Sequence, residues 1–520
     1  MTSRIFSRLG LPIAGLLIGV SVMSAQGFRS DDPVLRAMWQ EGMEQSQTET
    51  LAQILMDYIG PRLSGTPNFH AAVDWLEETY RDWGLDVRRE QYGTWRGWRQ
   101  GILHVDLIEP RVQTLEAHLL SWSPGTDGPV DGEVVAVPAF ASIEEATAWL
   151  PSVAGKFVLV SPPEVTCREP QALKELAREE TVERISAGRD SIRQSWRERM
   201  GVLGLLRVPH QRMEQAGALG VLTSRWSEGW GVNKVSGSYT QEVVSIDLSC
   251  EDNGLLHRLS ANGQGPKIRL EAEAEELGEV PMFNVLAEIP GTELPNEYVM
   301  LSAHLDSWAG ATGATDNGTG TITMLEAMRI LKEHYPNPRR TILVGHWGGE
   351  EQGLIGSRAF TEDHPDVVEN LQVLFNQDNG TWRVEYIETQ GLAGATGNLA
   401  RWIAQIPPDI TSSIELDLPG PQENGASDHA SFLCHGAPGF RLQSHYPDYR
   451  QYTWHTNRDT YDKIIFDDLK NNATLAAMLM YLASEDPERV SRDRAVLPID
   501  PLTGAPREWI GCSPARRSAE

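Results

Sequence analysis

The sequence predicts an α/β protein with a mainly parallel, mixed sheet flanked by helices, into which a second, β-rich unit is inserted. Three observations carry that prediction. From residue 285 onward, short apolar runs alternate with helical patterns, the rhythm that right-handed crossovers impose on a parallel sheet. Between residues 111 and 277 that rhythm gives way to short β-like runs and one long charged stretch. The length, 520 residues, is roughly three times a ~150-residue domain and leaves room for two or three folded units.

Residues 1–25 read as a secretory signal peptide: Arg4 and Arg8 precede an apolar run over residues 9–23, and Ser24 and Ala25 follow it. At about 15 residues the run is short for a bilayer span, the alternative being an uncleaved anchor. No Cys follows it to carry a lipid. The expected location is secreted or periplasmic, with no stable membrane anchor after cleavage. Residues 26–50 read as a polar leader, and residues 51–84 as helices broken at the Gly-Pro-rich turn 59–67. Phe69, Ala72, Leu76 and Tyr80 recur at helical spacing, and Gly84 suits a C-cap. Residues 87–91 alternate as a strand does.

Within the insertion, residues 132–137 and 155–160 read as strands, 170–200 as a charged helix, and 216–223 as a further apolar run. Residues 51–110 and 278–486 therefore form one domain, with 111–277 inserted. In the second part, 298–303, 341–346 and 371–375 read as buried strands. Residues 320–333 form a helix with Leu325, Met328 and Leu331 inward, and a last helix covers 466–484. The Pro- and Arg-rich tail, 487–520, is expected to be loosely held.

Composition narrows the function. Hydrophobic residues at 40% and charged residues at 22% exclude a disordered polymer. With 45 Lys and Arg against 72 Asp and Glu, the net charge of −27 opposes binding to nucleic acid or anionic membranes. Cys167, Cys250, Cys434 and Cys512 are scattered, without the close pairs of a cysteine zinc site. Cys167 and Cys250 could pair or stay free, and the sequence leaves both readings open.

The chemistry gathers where strands end. Strand 298–303 runs into His304 and Asp306, strand 341–346 into Glu350 and Glu351, and strand 371–375 into Asp378. In an open parallel sheet, ligands bind outside the carboxyl ends of the strands. Asp316 lies in the Gly-rich loop 310–320, and His455 in Trp454-His-Thr-Asn-Arg-Asp-Thr460. Taken singly, either histidine reads as structural, the Glu pair as a solvated helix start and Asp316 as a turn residue. Jointly they form a nitrogen and oxygen ligand set without thiolate, suited to Zn²⁺, or to Mn²⁺ or Co²⁺. A carboxylate shared by two ions makes a two-metal hydrolase, in which paired cations hold one water and the substrate carbonyl. Glu350 and Glu351 point in different directions after a strand, so one can ligate while the other acts as general base. Gly348 and Gly349 permit the tight turn this needs.

These residues carry a resemblance. The runs Ser302-Ala-His304-Leu-Asp306-Ser, Gly313-Ala-Thr-Asp316-Asn-Gly-Thr-Gly320, Gly349-Glu350-Glu351-Gln-Gly-Leu-Ile-Gly-Ser357, Ser427-Asp-His-Ala-Ser-Phe432 and His455-Thr-Asn-Arg-Asp459 resemble the M28 family of co-catalytic zinc peptidases. Ile59-Gly-Pro-Arg-Leu-Ser-Gly65 and His304-Leu-Asp-Ser-Trp308 extend the likeness to its plasma glutamate carboxypeptidase (carboxypeptidase Q) group. The likeness covers about residues 45–485, and the insertion resembles a protease-associated domain. It implies the zinc exopeptidase fold, two zinc ions and a homodimer. One ion would be held by His304, Asp316 and Asp378, the other by Asp316, Glu351 and His455, with Asp316 bridging. It further implies Glu350 as general base, Asp306 as the carboxylate that orients His304, and a cis peptide between Asp316 and Asn317.

One position departs from the family. Many members place Tyr before the last histidine ligand to stabilise the oxyanion, and here it is Trp454, which could donate only from its ring nitrogen. Tyr452, Tyr449, Tyr446, His445 or the metals alone remain as alternatives. Asn317-Gly-Thr319, Asn379-Gly-Thr381 and Asn472-Ala-Thr474 match the glycosylation triplet, the first two beside proposed ligands and so read as chance matches. The expected function is an exported two-zinc exopeptidase of aminopeptidase, dipeptidase or carboxypeptidase type acting on short peptides or dipeptides. The alternatives are a glutaminyl-cyclase-like acyltransferase or a non-catalytic receptor-like module. Asp428 and Glu423 lie in a loop that could hold a substrate ammonium group.

Overall fold

The computed structural model describes residues 30–202, 209–378, 380–422, 427–445, 447–500 and 502–519. The expected signal peptide, with Asn379, Glu423 and Tyr446, lies outside the described residues. Alternation along each strand builds a central sheet buried on both sides. Val299, Leu301 and Ala303 face one layer and Met300 the other; Ile342 and Val344 oppose Leu343, and Val373 and Phe375 oppose Leu374. Strands covered on both faces must be apolar at consecutive positions, hence their continuous hydrophobic runs. The helices Thr319–His334 and Phe466–Glu485 fill the first layer and are buried over most of their length. On the other face Trp347, Phe360 and Phe432 pack together. Each such side chain contributes about 1.5–3 kcal/mol by leaving water.

Across this part the strand order is Glu415–Asp417, Val384–Glu388, Gly439–Ser444, Leu371–Asn376, Leu294–His304, Arg340–Trp347, Lys267–Ile289. The middle strands are parallel. Lys267–Ile289 is antiparallel to Arg340–Trp347, and Val384–Glu388 to Gly439–Ser444. This is the expected mixed, helix-flanked α/β architecture. Registers pairing His304 with Trp347 and Ser302 with Asn376 bring three neighbouring strand ends to one edge.

The second unit grows out of a ribbon. Asp86–Glu109 and Lys267–Ile289 pair antiparallel from Asp86 with Glu288 to Glu109 with Lys267. One end of Lys267–Ile289 joins Arg340–Trp347, and the other joins Val130–Ala136. Val130–Ala136 then leads through Phe157–Leu159, Gly220–Thr223 and Val244–Leu248 to Ala117–Leu119. The expected boundary between residues 277 and 278 thus falls inside one strand. The unit's first four strands are parallel, the expected charged helix over 170–200 is divided into Pro170–Leu176 and Glu179–Val202, and a further helix, Cys250–Ala261, belongs to it.

Two expectations are corrected. From Pro33 to Trp39 the polar leader is a helix: Asp32 caps it by accepting from the Val34 amide at 2.8 Å, and Leu35 and Met38 are buried. The Tyr481 hydroxyl, on the helix Phe466–Glu485, donates to Asp32 at 3.0 Å. Two buried side chains on so short a segment give no periodic signal; tertiary packing makes the helix. The tail is tied down by a disulfide between Cys434 and Cys512, by the Thr94 amide donating to the Arg517 carbonyl at 2.9 Å, and by Arg517 pairing with Glu362 and Asp363. Cys167 and Cys250 form the second disulfide. The Asn472 side chain is spent internally, accepting from the Val384 amide at 2.8 Å and donating to the Trp382 carbonyl at 2.9 Å.

Candidate metal centre

Two trios of ligand atoms meet at Asp316. His304 Nε2 lies 3.4 Å from Asp316 Oδ1 and 3.5 Å from Asp378 Oδ1. His455 Nε2 lies 3.1 Å from Asp316 Oδ2 and 2.9 Å from Glu351 Oε2. Each trio has its donor atoms within 4.8 Å of one another. All five sequence-predicted ligands therefore converge, with Asp316 turning one oxygen to each side. The backbone at the bridge is a cis Asp316–Asn317 peptide.

The surroundings explain why these atoms face each other. The Nδ1–H of His304 donates to the Asp306 carbonyl at 3.0 Å, which leaves a lone pair on Nε2. The Asp306 carboxylate is farther off, 3.7 Å from Nδ1. Instead it accepts from the amides of Glu350 at 3.1 Å and Glu351 at 3.3 Å, so it fixes the turn that separates those two side chains. Gly349 makes that turn at φ +72°, and a Cβ on Gly348 would stand 2.8 Å from the Phe283 carbonyl oxygen.

Two positioning residues carried no assignment in the sequence. Asp459 accepts from the amides of Thr315 at 2.8 Å and Asp316 at 3.0 Å, holding the bridging residue from behind. Arg62 is fully buried and ties the loop after His304, donating to the carbonyls of Leu305 at 2.8 Å, Thr312 at 2.7 Å and Gly313 at 2.9 Å. Both stand inside the motifs of the resemblance. What they contact is set by residues far away in sequence, so only the type, a buried-looking Arg in a Gly-Pro turn, was a signal.

The donor set fits divalent cations. His304 Nε2 and Glu351 Oε1 are buried with no hydrogen-bond partner. Orphans of this kind cost about 1–3 kcal/mol each unless something else satisfies them. Nitrogen and carboxylate oxygen without thiolate suit zinc and its neighbours. Electrostatics agree. Burial lowers the basicity of His455, but Glu351 and Asp316 overcome it and lift its pKa to about 10. His304 rises well above the usual range in the same way, burial being outweighed by Glu350, Asp306, Asp316 and Asp378. Burial pushes Glu351 to about 7, with Asp316 adding to it. The carboxylate excess draws positive charge in. Glu350 is held well above the usual carboxylate range, by burial first and then by Asp378, Asp428 and Glu351 against the opposing pull of His304.

A small pocket opens on the trio of Asp316, Glu351 and His455, walled also by Trp308 and Val235. Val235 comes from the inserted unit. Its amide donates to the His455 carbonyl at 2.7 Å, and the Lys234 ammonium donates to the carbonyls of Arg450 at 2.7 Å and Trp454 at 2.6 Å. The insertion thus braces the loop that presents His455, whose φ is +51°. Trp454 stacks on His455 with centroids 4.1 Å apart and lies between the charges of Lys234 and Arg450. Asp428, expected near a substrate ammonium, is wholly buried, which raises its pKa to about 7.

The chain is similar to known peptidases. The family model described as Peptidase family M28 matches residues 284–480. The chain is 26% identical over 424 residues to carboxypeptidase Q of Xenopus laevis, covering 81% of this chain and 82% of that one. Among solved structures, a peptidase M28 precursor from Shewanella amazonensis aligns with a TM-score of 0.63 at 22% identity, covering 88% of this chain and 97% of that one. A zinc aminopeptidase from Bacillus subtilis aligns with a TM-score of 0.54 at 18% identity, covering 86% and 96%.

Proposed function

The chain belongs to peptidase family M28 and is a metallopeptidase related to carboxypeptidase Q, and from that premise we propose that it is an exported two-zinc exopeptidase acting on short peptides. The observation that carries the reading is the pair of trios sharing Asp316, one of which opens into a pocket. His304, Asp316 and Asp378 would hold one ion, and Asp316, Glu351 and His455 the other. Bound there, two zinc ions would acidify a shared water and polarise the scissile carbonyl. The likeness in fold to a zinc aminopeptidase of Bacillus subtilis supports zinc as the metal.

The chain's own residues do the rest. Glu350 adjoins the ligands without being one of the five, and its buried carboxylate favours holding a proton. It would take that proton from the attacking water and deliver it to the leaving amine. Asp306 keeps Glu350 and Glu351 apart through their amides, so that one can ligate while the other moves the proton. Asp459 and Arg62 hold the loops on either side of Asp316, so the site need not reorganise during the reaction. The short apolar wall of Trp308 and Val235 suits small substrates. Two disulfides and the charged-then-apolar first 25 residues support export to an oxidising compartment.

A panel of dipeptides with free or blocked termini, assayed with and without chelator, tests the proposal. Chelator-sensitive hydrolysis that requires one free terminus is the expected result and identifies the recognised end. Hydrolysis indifferent to chelator, or cleavage only of long internally blocked peptides, would refute it.

A further inference from the structure

The departure at Trp454 leaves the oxyanion without its usual donor, and the structure narrows what takes its place. The Tyr452 hydroxyl donates to Glu169 of the inserted unit. His445 is mostly exposed and lies 3.8 Å from Glu385. Trp454 is stacked on His455 and clasped by two cations, and neither it nor Tyr449 belongs to the pocket wall among the described residues. Trp308 does belong to it. Its indole nitrogen is buried and has no hydrogen-bond partner among the described residues.

Trp308 is also immobilised. It meets His455 edge-on with ring centroids 6.0 Å apart, and on another side it meets Trp122 of the inserted unit, again at 6.0 Å. A donor locked by packing needs no reordering when charge develops, which is what makes such groups effective. An indole N–H can only donate, so a developing oxyanion is a partner it can serve and a metal ion is not.

We propose that Trp308 is a catalytic residue whose indole N–H donates a hydrogen bond to the oxyanion formed when a peptide carbonyl is attacked beside His455. The assignment rests on the peptidase reading above. No covalent bond to Trp308 forms or breaks; its N–H contact strengthens as the carbonyl oxygen gains charge.

The test replaces Trp308 by its benzothiophene analogue, in which sulfur takes the place of N–H and the ring shape is kept, with Trp308→Phe as a second variant. Each is assayed on a dipeptide that the wild type hydrolyses, alongside zinc content and the affinity of a phosphinic dipeptide that mimics the tetrahedral intermediate. The expected result is a roughly 100-fold fall in kcat with KM little changed, an equal loss in phosphinate affinity, and unchanged zinc content and product binding. Wild-type kcat and phosphinate affinity in the benzothiophene enzyme would overturn the assignment while leaving the peptidase reading intact. A wild type that hydrolyses no dipeptide would overturn both.

Discussion

Glu350 and Glu351 are neighbours in sequence with opposite surroundings. Glu351 faces His455 at 2.9 Å, whereas Glu350 is held beside the trios by the Asp306 carboxylate behind its amide. Glu350→Gln keeps the shape and removes the base, so zinc content by elemental analysis should be unchanged while kcat falls by about 10²–10⁴. Asp459 acts one layer farther out. Asp459→Ala strips both acceptors from the Thr315 and Asp316 amides, and chelator competition should show zinc affinity weakened by about 10–100-fold. Strand ends marked His304, Glu350, Glu351 and Asp378 and a glycine loop marked Asp316, whereas His455 stands at neither and the role of each residue came from the family resemblance. Asp459 and Arg62 were visible only as motif letters, since their work is to accept from or donate to main-chain atoms more than a hundred residues away.

At the scale of elements, the strands and helices at the centre of the sheet announce themselves as apolar runs and helical spacing, whereas of the long ribbon Asp86–Glu109 and Lys267–Ile289 only residues 87–91 read as strand. Val384–Glu388, Glu415–Asp417 and Gly439–Ser444, which the sequence reading did not assign as strands, extend the sheet on hydrogen bonds supplied by neighbouring strands. The tail is another case in which distant partners decide. Replacing Cys434 and Cys512 by Ser should cost about 2–4 kcal/mol in denaturant unfolding and raise hydrogen exchange in residues 509–519. In the helix Cys250–Ala261, His257 sits buried with Nε2–H donating to the Ser161 carbonyl at 2.9 Å, and burial lowers its pKa from 6.5 to about 4. The unfolded chain takes up this proton first as pH falls. His257 therefore costs no stability above about pH 6.5, and its penalty grows as pH drops toward 4. His257→Gln should relieve that acid penalty by about 3 kcal/mol at pH 4, read as the difference between variant and wild-type unfolding curves across pH.

Over the whole molecule, one site is assembled from both units: strand ends and loops of the central sheet supply the two trios, and the insertion braces the His455 loop through Lys234 and Val235. Such a concentration of buried carboxylates repels itself without cations. Chelation should therefore lower the melting temperature, and at a thousandfold excess of free zinc over its dissociation constant the restored stability is about 4 kcal/mol, read by calorimetry. The local order of residues was enough to determine the α/β class, the ligand types and the strand ends that carry them, because periodicity and the chemistry of side chains are properties of short segments. Only the tertiary structure decided that the ribbon joins the two units without a linker, that the leader and tail are packed, and that Trp308 lines the pocket beside His455 with its indole nitrogen unpartnered among the described residues. Those outcomes depend on which distant surfaces meet, and burial, pairing and pocket walls exist only once they have met.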